Sequence, residues 1–393
     1  MLIDISGNIY AGRTPPEHYE QLIAFLDEVF FRDDDPETKR DFMSLLPKLY
    51  QPRYDPCYNN FCVMEGDTVK AAVGLYYNTV SAGGEALRCG GIGNVAVARD
   101  ARSKGYMINC MNQALDDMIA SKTDFGLLGG QRQRYGYFSF EPAGLQYSFG
   151  FNLSNIRHCF GSDAENILDV REIAPQDTQT LEAVERLLRS ESCYAPHQPD
   201  ELYDILCSWR SRPFAAFKGE AFRGFFTVGR EGGLGDFKAV DADACKEMVL
   251  AVFETVQNPQ LGFTVAPFDK TGLDFFTVTA ENCSLRHSEC YTVLCFERVL
   301  RAFLKVKAAL EPLCDGEASF LIHGRAGDEN LAVSVKAGVP EVAKSQGPAA
   351  FELGHHEAMR AFFSLSSAER RTFPPQIAQW FPLPMFTYHF DSV

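Results

Sequence analysis

The sequence predicts an α/β (α+β) chain: two tandem mixed-sheet domains followed by a smaller α+β domain. Three observations carry this. The chain has 393 residues, more than one hydrophobic core normally fills. A strand–helix–strand crossover is embedded among antiparallel strands in the first segment, and the same order of elements restarts near Asn155. With 46% apolar and 23% charged residues, the composition is that of a globular protein and not of a disordered one.

The elements follow from periodicity and turn chemistry. In HYEQLIAFLDEVF, Leu22, Ile23, Phe25, Leu26, Val29 and Phe30 recur at helical spacing. NNFCVMEGDTVKAAVGLYYNTV has two apolar runs around Glu65-Gly66-Asp67, which reads as a hairpin. ALRCGGIGNVAVA is a strand, SKGYMINCMNQALDDMIASK a helix, and DFGLLGG and GLQYSFGFNLS two further strands. After Asn155 come the amphipathic DTQTLEAVERLLRSE, a hairpin around Gly219 and the helix DACKEMVLAVFETV. LGFTVAPF, LDFFTVTA and ECYTVLCFERV read as strands. The last segment opens with the helical ERVLRAFLKVKAAL, continues with the strands EASFLIHGR and ENLAVSVKAG, and ends in a helical HHEAMRAFFSL and a proline-rich tail. Pro374, Pro375, Pro382 and Pro384 oppose regular structure there, and the aromatics from Trp380 to Phe390 suit a docked tail. The boundaries are set at 1–154, 155–296 and 297–393.

Charge and cysteines restrict the function classes. A net charge of −15 opposes nucleic acid or an anionic membrane as partner and favours cationic small molecules. No run approaches the ~18 apolar residues of a membrane span. MLIDISGNIY has neither the basic nor the apolar region of a secretory signal, and the twelve cysteines contain no C-x-x-C pair. The expected location is therefore the cytoplasm, with free thiols. Cys283-x3-His287-x2-Cys290 lies on an apparent turn and strand without a fourth ligand, so no metal is expected.

Two stretches compete as a phosphate site. Gly91-Ile92-Gly93-Asn94-Val95-Ala96 spells a dinucleotide fingerprint, which needs a buried strand before it and a helix after it. Here β-favouring Val95 and Val97 follow, and Asp116 and Asp117 fall inside a helix, so the glycines read as a bulge or bend within a strand. Further on, a strand ends at Val97 and a helix begins near Ser103-Lys104-Gly105. The first N–H groups of such a helix lack internal partners and carry the positive end of its dipole. Arg102 and Lys104 add charge, and Gly105 admits a diphosphate close to the backbone. ARSKGYM is the expected cradle.

Arg102-Ser103-Lys104-Gly105-Tyr106-Met107 resembles the acyl-CoA motif of the GNAT superfamily of N-acetyltransferases, Arg/Gln-x-x-Gly-x-Gly/Ala after a strand. Met107 stands at the second small position, where two-domain relatives carry a larger residue. Tyr135-Gly136-Tyr137-Phe138-Ser139-Phe140-Glu141-Pro142-Ala143 resembles the Tyr-Gly-x-Phe-Gly-x-x-Pro-Ala of the Eis-type (enhanced intracellular survival) acetyltransferases, with Ser139 for the glycine. The resemblance implies a catalytic GNAT domain, a degenerate second copy and a C-terminal domain of sterol-carrier-protein fold. It also implies acetyl-CoA as co-substrate and a hexamer.

Carried onto this chain, the resemblance implies that Val95, Ala96 and Val97 offer backbone groups to the pantetheine arm. Arg102, Ser103, Lys104, Gly105, Tyr106, Met107 and Ile108 would hold the diphosphate, with Gly130 and Gln131 beside the cofactor. Tyr135 would be the general acid, its phenol matched to a departing alkyl thiolate; Tyr137 and Tyr147 are neighbouring alternatives. The carboxylate of Val393, after Phe390-Asp391-Ser392, would be the base, with water or Glu/Asp side chains as rivals and His389 structural. The second copy reads FKAVDADACKEM at the equivalent turn, where Asp241 and Asp243 would repel a diphosphate. The expected reaction is acetyl transfer to an amine of a small molecule or peptide. Aminoglycosides, polyamines and lysine side chains are all open as acceptors. A non-catalytic protein that binds an apolar ligand in the last domain is the alternative.

Overall fold

A computed structural model describes residues 2–34 and 40–393. The first sheet runs in the order Ile3–Asp4, Ile9–Arg13, Asn60–Glu65, Thr68–Ala82, Glu85–Val97, Phe125–Leu128, Glu289–Val293 and Glu141–Ala143. Cys193–Tyr194 pairs antiparallel with the far end of Thr68–Ala82. Within this sheet the crossover helix Tyr106–Ala120 joins a parallel pair, Glu85–Val97 with Phe125–Leu128. Side chains alternate across the sheet: Phe61 and Val63 pack with helix Tyr106–Ala120, whereas Cys62 and Met64 pack with helix Tyr19–Phe31.

Strand pairing cuts across the boundary set at 154/155. Gln146–Asn152 leaves the first sheet and pairs with Gln260–Val265 and Asn282–Arg286. Glu289–Val293 crosses in the other direction and sits between Phe125–Leu128 and Glu141–Ala143. The rest of the second lobe is a sheet of Leu234–Ala239, Ala221–Val228, Arg212–Lys218 and Asp169–Glu172, packed with helix Ala242–Val256. LDFFTVTA, expected as a strand, lies in helix Lys270–Thr279. Asp269 caps that helix by accepting from the Gly272 N–H at 2.9 Å, and Phe276 is fully buried. Cap and burial together override the β preference of Phe, Thr and Val.

In the last segment, helices Phe296–Leu310 and His355–Phe363 accompany the sheet Val339–Lys344, Gly327–Lys336, Gly316–Gly324 and Phe351–Gly354. Its core is closely filled by rings: Phe320 lies 5.2 Å from Phe362, which lies 4.8 Å from Phe381. Buried Trp380 donates to the Cys314 carbonyl at 2.8 Å. The tail then turns back onto the first two lobes. Leu145 N–H donates to the Met385 carbonyl at 2.8 Å, and Asp236 accepts from the N–H groups of His389 (3.0 Å) and Phe390 (3.1 Å). Among the described residues no helix is long and apolar enough to cross a membrane.

Candidate active site

The site is organised by a defect in strand Glu85–Val97. Ala96 pairs with Ala72 but Gly93 pairs with Gly74, so Asn94 and Val95 together face Val73. This is a β-bulge, with Asn94 at φ 42°. The Asn94 amide donates to Asn60 Oδ1 at 2.7 Å and accepts from the Tyr50 hydroxyl at 2.6 Å. Only glycine fits at position 74, where a Cβ would lie 2.1 Å from Asn94 Oδ1. On the other edge, the parallel ladder reaches only Gly91–Leu127. The neighbouring strand ends at Leu128, the chain turns away through Gly129 and Gly130, and the two strands part. Residues 92–97 are left without a strand partner on that side among the described residues.

The opened wedge leads to a groove of about 570 Å³. Val95, Val97, Arg102, Ser103 and Gly105 line it, as do Tyr106, Met107 and Ile108 from the first helical turn. The helix begins at Tyr106, slightly later than expected, because Gly105 takes the N-cap position with φ 81°. Its first turn holds no acidic residue, and Asn109 N–H is the first to find a helical acceptor, the Gly105 carbonyl at 3.1 Å. The preceding N–H groups are free to receive an anion. Arg102 is exposed with no ion pair among the described residues. Arg134, which the sequence reading missed, lines the same groove in the same state.

Four expected cofactor residues, Ala96, Lys104, Gly130 and Gln131, stand apart from the lining. Lys104 is tied to Glu65 at 2.8 Å, and the Tyr106 hydroxyl shares that carboxylate at 2.6 Å. Both contacts hold the Glu65 carboxyl below its usual range. Ala96 faces the opposite side of the sheet and packs with helix Tyr19–Phe31. Gly130 seats the ring of Tyr135, since a Cβ there would lie 2.3 Å from its Cε2. Gln131 is exposed and its carbonyl accepts from the N–H groups of Arg134 and Tyr135. Tyr135 itself is buried in the cluster that contains Val95, Val97 and Met107, and burial raises its phenol above the ordinary value. It borders the wedge without lining the groove. Tyr137 is 86% exposed and Tyr147 lies in the second-lobe sheet, so neither joins the site.

The chain terminus lies against the same strand. A Cβ at Gly91 would fall 2.7 Å from Val393 Cγ2, and one at Gly93 would fall 3.3 Å from the Val393 carboxyl carbon. The glycines of the apparent nucleotide fingerprint thus make room for the docked tail, and the bulge follows them at Asn94 and Val95. Buried Lys48 donates to the carbonyls of Phe390 and, at 2.7 Å, Ser392. Burial pushes its ammonium down to about 8, against the pull of Asp391 and Asp236. The Trp209 indole donates to Ser392 Oγ at 3.0 Å and stacks on His389. His197 lies between Asp391 (2.8 Å) and Glu185 (3.0 Å); burial works against its charge, but the two carboxylates raise it to about 9. Around this end lies a cavity of about 320 Å³, bordered by Gly91, Leu127, Tyr76 and Val393. Lys48 and His197 carry no sequence motif, and only their contacts with the tail reveal them.

Elsewhere the arrangement is structural. Asp241 caps helix Ala242–Val256 by accepting from Ala244 N–H at 2.7 Å and pairs with Arg223. In the spaced Cys/His run, His287 accepts from Leu365 N–H at 3.1 Å, and the Cys290 thiol faces the Gly130 carbonyl at 3.7 Å.

Residues 13–143 match the family model described as an acetyltransferase (GNAT) domain. Among solved structures, the chain is similar to a GCN5-related N-acetyltransferase from Anabaena variabilis. The identity is 13% and the TM-score 0.69, covering 98% of this chain and 100% of that one. It is also similar to Eis1 from Mycobacterium abscessus (10%, TM-score 0.62, 97% and 98% covered). A probable N-acyltransferase from Enterococcus faecalis is a third (12%, TM-score 0.64, 91% and 90% covered). A search of curated proteins finds no match by sequence. Residues 13–143 therefore form an acetyltransferase domain of the GNAT kind, and the chain is an N-acetyltransferase.

Proposed function

We propose that the protein transfers the acetyl group of acetyl-CoA directly to an amine. The observation that carries this reading is the position of Val393. Its side chain lies against Gly91 and its carboxyl beside Gly93, between the groove that begins at Val95 and the cavity that reaches Gly91. The groove fits a diphosphate and a pantetheine arm: a helix N-terminus, two arginines without a carboxylate partner among the described residues, and a strand edge without a strand partner among them meet there. Acetyl-CoA supplies the thioester. The Val393 carboxylate accepts the proton of the attacking amine, and Tyr135 gives its phenolic proton to the departing thiolate.

The burial of Lys48 against the tail carbonyls keeps the terminal carboxylate in register with the strand. The second lobe serves as scaffold and cleft wall, because Asp241 occupies the helix N-terminus where a diphosphate would sit. The last segment, read as a sterol-carrier-like domain, acts through its tail. Its ring-filled core favours this over a role as carrier of an apolar ligand. We extend the resemblance to a hexamer working in the cytoplasm.

Tyr135→Phe tests the assignment. Turnover, followed by free-thiol release, should fall about 10²–10⁴-fold. Acetyl-CoA affinity measured by calorimetry should stay near wild type. Undiminished turnover would remove Tyr135 from the mechanism, and absence of acetyl-CoA binding would remove the reading as a whole.

A further inference from the structure

The cavity at the chain terminus has a chemistry that narrows the acceptor. Tyr76 and Tyr77 come from strand Thr68–Ala82, Tyr194 from the short strand beside it, and Phe386 and Tyr388 from the tail. Phe268 and Tyr54 add two more rings. At about 320 Å³ the cavity is small, and rings supply much of its wall. Flat π faces at such density favour a flat partner.

The charges are few and mostly committed. Three carboxylates border the cavity: Asp391, Glu201 and the terminus of Val393. Asp391 is bound to His197, which Glu185 holds from its other side. Lys48 supplies a buried ammonium that is held by the backbone carbonyls of Phe390 and Ser392. Neither Glu201 nor the Val393 terminus has an ion pair among the described residues; with the terminus assigned as base, Glu201 is left to face an ammonium. One bordering carboxylate can compensate one ammonium. Each further charge carried in would be desolvated without a partner, a cost that a polycation meets several times over. The Tyr388 hydroxyl is buried without a hydrogen-bond partner among the described residues, leaving one polar contact for a ligand to complete.

We infer that the acceptor is a small amine with one amino group on a flat, largely apolar body, an arylalkylamine and not a polyamine or aminoglycoside. This rests on the N-acetyltransfer reading above and assigns its second substrate. The amine enters past Glu201 toward Val393, gives its ammonium proton to solvent and attacks the thioester carbon as the neutral amine, while the terminal carboxylate takes the second proton that the nitrogen sheds on bonding. The C–N bond forms, the C–S bond breaks, and the thiolate leaves with the proton of Tyr135. The aryl body stays among the rings.

The test compares kcat/KM for 2-phenylethylamine, tyramine and tryptamine with that for spermidine and kanamycin on the full chain, by thiol release. At least one arylalkylamine should exceed both polycations by about tenfold or more. Phe268→Ala should raise the KM for that amine about tenfold while leaving the KM for acetyl-CoA unchanged. A polycation used as well as the best arylalkylamine would overturn the inference and leave the acetyltransferase reading intact. So would calorimetry that finds no arylalkylamine binding to the CoA-saturated protein. Failure of acetyl-CoA itself to bind would instead remove the underlying reading.

Discussion

Alanine at Gly91 is the most direct probe of the docked terminus. The new Cβ would stand 2.7 Å from Val393 Cγ2 and 3.1 Å from Cγ1, whereas ordinary contact begins at 3.4 Å. The tail must therefore retreat by at least about 0.7 Å, since strand Glu85–Val97 is paired on both sides at this point. A displacement approaching ~1 Å at a reacting group costs on the order of 10²-fold in rate. We expect kcat for Gly91→Ala to fall about 30- to 100-fold. Acetyl-CoA affinity should hold, because the cofactor groove begins at Val95 and does not include Gly91. Val393→Ala removes both clashing methyl groups and keeps the terminal carboxylate, so its own effect should be small. The double variant Gly91→Ala/Val393→Ala should then recover to within about fivefold of Val393→Ala, a coupling of roughly 2 kcal/mol. Thiol-release kinetics on the four proteins, with melting temperatures as a control for folding, complete the cycle. Wild-type kcat in Gly91→Ala, or a double variant as slow as the two losses multiplied, would refute the idea that Val393 works from this position.

Three further outcomes are expected. Arg102→Ala and Arg134→Ala should each weaken acetyl-CoA binding about five- to tenfold at low salt and less at high salt, since both side chains are exposed; calorimetry at two ionic strengths reads this, and a salt-independent loss would count against a diphosphate contact. His197, raised to about 9, stabilises the fold fully below its ordinary 6.5 and loses that contribution as pH rises through about 9. The melting-temperature gap between wild type and His197→Gln should accordingly be widest near pH 6 and close above pH 9; subtracting the variant removes Lys48, whose lowered value gives the opposite slope above about 8. A gap that ignores pH would mean that His197 is not charged in the fold. Asp241→Ala should cost about 1 kcal/mol through the lost N-cap, with one acetyl-CoA bound per chain before and after. A stoichiometry of two would restore the second lobe as a cofactor site.

Much of the first two lobes was legible because their signals are local. The helical spacing in HYEQLIAFLDEVF, the turn at Glu65-Gly66-Asp67 and the hairpin at Gly219 each depend on a few consecutive residues, and each forms where expected. Reading the glycines before Val95 as a bulge was also right, and for the reason given: β-favouring residues follow them. LDFFTVTA failed because a local β preference lost to an aspartate cap and a buried phenylalanine. Lys104 matched a motif by position, but Glu65, thirty-nine residues away, takes its charge.

The sequence by itself determined most of the elements, the helix N-terminus, and the strand that precedes it. These arise from propensity, capping and glycine conformations acting over a turn or two of chain. Tertiary structure decided the exchange of Gln146–Asn152 and Glu289–Val293 between lobes, the pairing of Lys104 with Glu65, and the arrival of Val393 at Gly91. Each joins residues far apart in sequence and is selected by burial and hydrogen bonding in three dimensions, energies that no periodicity records. Gly91 and Gly93 belong to both accounts: locally they permit a bent strand, and only the folded chain shows that the space they leave is filled by its own last residue.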